Sequence, residues 1–181
     1  QQETLTSHAP STRLETFLSL AEAGKIDLVA HSAISDIARG WMYLGNDRFS
    51  TDSGVVSEST TELLLHASPA TPVTFTCVPK TCGERIGVDR DGDGMRNYDE
   101  VRDLSPDISG LQNPFRADNS DSTGNNGSTE PDGIPDGRND FDGDGILNSE
   151  ELAAGSNPAD NLAVEVPLHA DFINRMPLTL A

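Results

Sequence analysis

Twelve residues beginning at Asp89 recur 51 positions later, beginning at Asp140, and no other feature limits so strongly what this chain can fold into. The first copy reads Asp89-Arg-Asp91-Gly-Asp93-Gly94-Met95-Arg-Asn97-Tyr-Asp99-Glu100; the second reads Asp140-Phe-Asp142-Gly-Asp144-Gly145-Ile146-Leu-Asn148-Ser-Glu150-Glu151. Carboxylates set at alternate positions repel one another, so a folded arrangement needs something positive between them. Alternate side chains of a tight loop converge on one point. A glycine at position 6 takes the sharp turn that a Cβ would obstruct. A single copy is consistent with a solvated acidic turn, but two copies, each complete to a terminal Glu, call for a common cause.

That cause is a hard cation. Both copies match the twelve-residue calcium loop of the EF-hand. Asp89, Asp91 and Asp93, and Asp140, Asp142 and Asp144, supply oxygens at positions 1, 3 and 5. Met95 and Ile146 offer a backbone carbonyl at position 7, Asn97 and Asn148 act at position 9, and Glu100 and Glu151 close the shell in bidentate fashion at position 12. Calcium accepts about six to eight oxygen ligands, whereas magnesium demands a tighter octahedron and keeps its waters. At least two Ca2+ are therefore the expected cofactors.

The loops resemble the calcium loops of dockerins and of thrombospondin type 3 repeats, in the form found in bacterial secreted proteins. Asp132-Gly-Ile-Pro-Asp136-Gly-Arg-Asn139-Asp140-Phe-Asp142-Gly-Asp144-Gly145 and the trailing Gly155-Ser-Asn157-Pro-Ala-Asp160 are similar to the thrombospondin-type pattern. In that family, consecutive Asp-rich turns wrap a row of ions with little core. The resemblance covers about residues 84–160 and implies that Asp132 and Asp136 are ligands of an additional ion. It departs from the paired EF-hand in two respects: no helix is evident entering either loop, and position 8 of the first loop is Arg96 rather than an apolar residue. Residues from Ala38-Arg-Gly-Trp41-Met-Tyr43-Leu through Phe75-Thr-Cys77-Val-Pro79 and Arg85-Ile-Gly-Val-Asp89 resemble C-terminal regions of large secreted bacterial proteins, some of which carry c-type haem elsewhere. No Cys-x-x-Cys-His occurs in this chain, so that likeness implies no haem here.

The rest of the chain divides by composition. Residues 1–82 suggest a small α+β or mostly β unit. Residues 1–10 read as a flexible lead, and Thr12-Arg13-Leu14-Glu15 as a capping box opening a helix near 12–24. Leu14, Phe17, Leu18 and Ala21 recur at helical spacing. Ile26 to Ile34 and Ile37 to Leu44 read as strands, followed by a turn at Gly45-Asn46-Asp47. Residues 57–66 read as a short helix burying Leu63, Leu64 and Leu65, and Pro72 to Val78 alternates with period two, as a strand does. Trp41 reads as core, and His31 and His66 as satisfied core histidines. Residues 83–161 form an irregular, loop-rich calcium-binding region, with short helices after each loop (Tyr98 to Leu104, Ser149 to Ala154). Residues 162–181 alternate again and suggest a C-terminal strand of a kind that pairs between subunits. With 35% hydrophobic and 5% aromatic residues, packing alone does not account for order in the acidic half; a bound ion replaces the missing apolar drive.

Charge narrows the function. Thirty Asp and Glu against twelve Lys and Arg give −18, the wrong sign for nucleic acid or an anionic membrane. No apolar run approaches the roughly 18–20 residues that span a bilayer. Cys77 and Cys82 fit a short disulfide and an oxidising compartment, with free thiols or half a zinc site as the competing readings. No nucleophile, phosphate-loop or dinucleotide signature is present, so no enzyme is expected. The sequence thus suggests a secreted, extracellular or cell-surface structural protein in which Ca2+ orders the acidic region. Its expected partner is itself, in a fibre or surface-layer assembly. The alternatives are a dockerin-like module docking a secreted partner, or an accessory C-terminal region of a secreted redox protein.

Overall fold

The computed structural model describes residues 1–53, 57–101, 115 and 133–158. Six strands, β1 (Gln2–Leu5), β2 (Asp27–Ile34), β3 (Ile37–Gly45), β4 (Arg48–Thr51), β5 (Ser57–Glu58) and β6 (Val73–Val78), form one sheet in the order β1-β6-β2-β3-β4-β5. Every neighbouring pair is antiparallel. Two hairpin turns set the register. Ser35 and Asp36 (φ 52° and 63°) join β2 to β3, and Asn46 and Asp47 (φ 52° and 56°) join β3 to β4. Two consecutive left-handed residues give the twist that matches antiparallel strands, and Asn and Asp tolerate that conformation.

One face of the sheet carries the apolar core. Helix α1 (Thr12–Glu22) lays Leu14 and Phe17 against Leu28, Ala30, Trp41, Phe49 and Phe75. Helix α2 (Thr60–Leu64) adds Leu63 and Leu64. The Ser11 hydroxyl caps α1 by accepting from the Leu14 amide at 3.1 Å, a contact worth about 1 kcal/mol. Ser59 and Glu62 form a reciprocal capping box on α2. Trp41 and Phe49 are fully buried, so truncating either to Ala would cost about 3–5 kcal/mol.

The opposite face of β2 and β3 is covered by helix α3 (Gly83–Gly87), which leads into the first Asp-rich loop. The two backbones touch. A Cβ at Gly40 would overlap the Gly87 carbonyl oxygen, and one at Gly87 would lie 2.9 Å from the Trp41 carbonyl oxygen and 3.1 Å from Val29 Cγ1. Because both faces are covered, Leu28, Val29 and Ala30 are all buried in succession. The sheet is therefore a floor for the first loop.

Several expectations need correction. Residues 2–5 are a strand, held to β6 by backbone pairing and by side-chain bonds from Gln2 to Thr76 and between Thr4 and Thr74. The cap of α1 is Ser11, one residue before the expected Thr12. Leu65 lies beyond α2 and is 61% exposed. Cys77 and Cys82 are free thiols: Cys77 packs against the core from β6, while Cys82 lies beyond the turn at residues 79–82 as the N-cap of α3. His31 and His66 are half-buried rather than sealed in the core; each ring is satisfied, by the Ile86 carbonyl and by Glu58 respectively. Trp41 is core as expected. The strand expected over 162–181, Asp132, and residues 102–104 of the first exit helix lie outside the described residues.

Candidate metal centre

The first loop is suspended between two helices that are themselves fixed to the sheet. Val88, fully buried, plugs the junction after α3. The loop closes at its base through Asn97. Its amide donates to the Val88 carbonyl at 3.0 Å, and its side-chain oxygen accepts from the Arg90 amide at 2.9 Å. Helix α4 (Asn97–Val101) follows at once and carries Glu100 inward. A helix does enter this loop, contrary to the sequence reading, because α3 is only five residues long and carries no apolar periodicity of its own.

Inside the loop, backbone amides orient the carboxylates. Gly92 and Gly94 donate to the two oxygens of Asp89 at 2.7 and 3.1 Å, and Met95 donates to Asp93 Oδ1 at 2.6 Å. Gly94 stands at φ 99°, a conformation closed to ordinary side chains. Oxygens of Asp89, Asp91 and Asp93 come within 4.8 Å of one another. Glu100, 1% exposed, faces them. Both of its carboxylate oxygens, and Oδ2 of Asp93, are buried without a hydrogen-bond partner among the described residues.

Burial first, then the neighbouring Asp93, Asp91, Asp89 and Asp136 charges, pushes Glu100 up to about 9. Burial and the charges of Asp91, Asp89 and Asp136 push Asp93 up to about 7, against the lowering effect of the Met95 amide. Buried anions without a counter-charge are costly. A divalent cation among these oxygens would supply the missing partners and hold all of them ionised. The residues fit such an ion.

The second loop repeats the backbone plan in a more open setting. Gly143 and Gly145 donate to the two oxygens of Asp140 at 2.8 and 2.9 Å; Asp144 and Ile146 amides donate to Asp142 and Asp144 at 3.1 and 2.8 Å. Asn148, like Asn97, clamps the base: its amide donates to the Asn139 carbonyl and its side-chain oxygen accepts from the Phe141 amide. Helix α5 (Asn148–Ala154) carries the buried Glu151 and ends at Gly155, φ 82°. Oxygens of Asp140, Asp142 and Asp144 again lie within 4.8 Å of one another, but all three residues are only half-buried. Burial, then Asp144 and Asp140, raises Asp142. The core here is small: Phe141 and Leu152.

Asp136 opens a short 3-10 turn (Asp136–Arg138) and is 1% exposed. Its charge bears on Asp93 and Glu100 of the first loop. Three residues that sequence reasoning left unassigned anchor the first loop to the sheet. Arg96, at position 8, donates to Ser50 Oγ and the Thr51 carbonyl, each at 2.6 Å. Asp52 receives Arg39 Nε at 2.8 Å and the Gly40 amide at 2.7 Å, and its carbonyl receives the Tyr98 amide at 2.9 Å. The Arg39 guanidinium then lies 4.0 Å over the Tyr98 ring. An arginine where the calcium-loop pattern wants an apolar residue was the available signal.

Residues 89–103 and 140–161 match the family described as Bacterial TSP3 repeat. These two segments are thrombospondin type 3-like calcium-binding repeats. The match stays within the acidic half and does not extend into the sheet. No curated protein and no solved structure matches the chain. Among the described residues no helix is long and apolar enough to cross a membrane.

Proposed function

We propose that this chain is an extracellular, non-enzymatic structural protein whose acidic TSP3 repeats are ordered by Ca2+, and that calcium supports its self-association. The carrying observation is the buried Glu100 carboxylate, facing three aspartates with neither oxygen hydrogen-bonded among the described residues. A fold that sequesters negative charge in this way stands when a cation is supplied. Calcium sites of extracellular modules bind at about 10⁻⁴–10⁻³ M, a range filled outside cells. Each divalent ion also offsets two of the formal negative charges on a chain at −18, reducing the repulsion between copies.

The sheet supports self-association from a second direction. Among the described residues, strand β1 pairs with β6 alone and is the last strand on its side of the sheet. An open edge of this kind accepts an added strand, and the alternating segment at 162–181 of a neighbouring copy has the right pattern. Metal content of the purified protein, measured with its oligomeric state before and after chelation, tests the reading. Two or more Ca2+ per chain, with assemblies that dissociate in EDTA, are expected. A calcium-free protein, or a monomer at all calcium concentrations, would overturn it in its first or second part respectively.

A further inference from the structure

We infer that the first-loop ion also takes a ligand from outside the first repeat, with Asp136, just ahead of the second repeat, joining Asp89, Asp91, Asp93 and Glu100, so that one cation fastens the second repeat to the sheet-anchored first. The inference rests on the calcium reading and deepens it: the family resemblance implies Asp136 as a ligand of an additional ion. The chain reaches the first loop just ahead of the second repeat, at Gly137. A Cβ there would fall 2.6 Å from the Asp93 carbonyl oxygen and 3.0 Å from both Gly94 C and the Met95 amide nitrogen. The backbone next to Asp136 is thus in direct contact with positions 5 to 7 of the first loop. Asp136 is itself buried.

The second repeat holds Asp136 in place from its own side. Asn148 Nδ2 donates to the Asp136 carbonyl at 2.7 Å while Asn148 clamps the second loop. Ser149 approaches from the same side, with its Cβ 3.9 Å from a Cβ built at Gly94. A glycine at 137 is required, since a side chain would push the two repeats apart. Asp93 Oδ2 and both oxygens of Glu100, buried and without a hydrogen-bond partner among the described residues, mark where the ion sits. The ion therefore closes the long connection between residues 101 and 136, and the entropy of that closure is covered by ligation rather than by apolar contact.

The test is calcium titration calorimetry on the full chain carrying Asp140→Asn and Asp142→Asn, which leaves the first loop as the remaining complete site. Adding Asp136→Asn is expected to weaken that site at least tenfold, while Glu150→Gln, an exposed acid nearby, leaves it unchanged. Equal affinity with and without Asp136→Asn would overturn the inference yet leave the calcium reading intact; no binding by the unsubstituted chain would overturn both. Hydrogen exchange on the chain with an intact second loop guards against misfolding of the variants. Glu100→Gln is expected to abolish calcium-induced protection of residues 133–139 there, and retained protection would refute the shared site.

Discussion

The two repeats share a motif but not an environment. In the first, three loop aspartates and Glu100 sit over a covered sheet, fixed by Arg96, Asp52 and the Gly40–Gly87 backbone contact. In the second, the equivalent aspartates are half-buried and the local core is Phe141 and Leu152. The same twelve-residue pattern therefore yields two kinds of site. The buried one concentrates negative charge, so it is costly without a cation and holds one strongly. The second leaves its three aspartates more exposed, although Glu151 is as buried as Glu100, and its supporting surface is smaller. Motif sequence specifies where the oxygens converge; the supporting surface decides how much the ion is worth.

The largest expected effect comes from cutting the first repeat off its floor. Asp52→Ala takes the carboxylate from the half-buried Arg39 and removes the acceptor of the buried Gly40 amide; leaving a buried donor unsatisfied costs about 1–3 kcal/mol, and more when a charged partner is lost with it. Urea unfolding should show this loss, and calorimetry should show weaker calcium binding at the first site only. Equal weakening of both sites would break the contrast. Next is Glu100→Gln, whose sign depends on calcium. With calcium, loss of a ligand should weaken the first site on the order of 100-fold, since even outer-shell changes at metal sites cost about 10–100-fold. Without calcium, the same variant should melt higher than the parent at neutral pH, because Gln is neutral without the proton that Glu100, raised to about 9, must take up on folding. Glu151→Gln should show a smaller crossover.

The pH dependence of the calcium-stripped protein probes the same burial through solution conditions. Asp93 and Glu100 rise from 3.8 and 4.5 to about 7 and about 9. Between the unfolded and folded values the folded chain binds more protons than the unfolded one, so stability must fall as pH rises. Thermal melts should therefore decline from about pH 5 to about pH 9 without calcium. Saturating calcium keeps both groups ionised and should flatten that slope. A stripped protein that gains stability over the same range would show that the carboxylates are not buried as described.

Legibility from sequence followed the range of the interactions. Helix α1 and strands β2, β3 and β6 were readable because Leu14, Phe17 and the apolar runs are set by local period. Strand β1 was not: Gln2-Glu3-Thr4-Leu5 is strand only because β6 lies alongside it, through partners about seventy residues away. The Asp triads of both loops were readable from their spacing. Their unequal burial was not, since it depends on Gly40, Gly87 and Asp52, none of which belongs to the motif. Asp136 carried a family signal but no address; only the fold places it against the first loop.

Hydrogen exchange with and without calcium tests the central claim most directly. Calcium-saturated protein is expected to protect amides across residues 89–101 and 133–158. Stripping the ion should abolish that protection while β2, β3 and β6 keep theirs, and lower the melting temperature. Ions held at 100 times their dissociation constant stabilise by about 2.7 kcal/mol per site, or several degrees in a chain of this size. Identical exchange and melting with and without calcium would contradict the account.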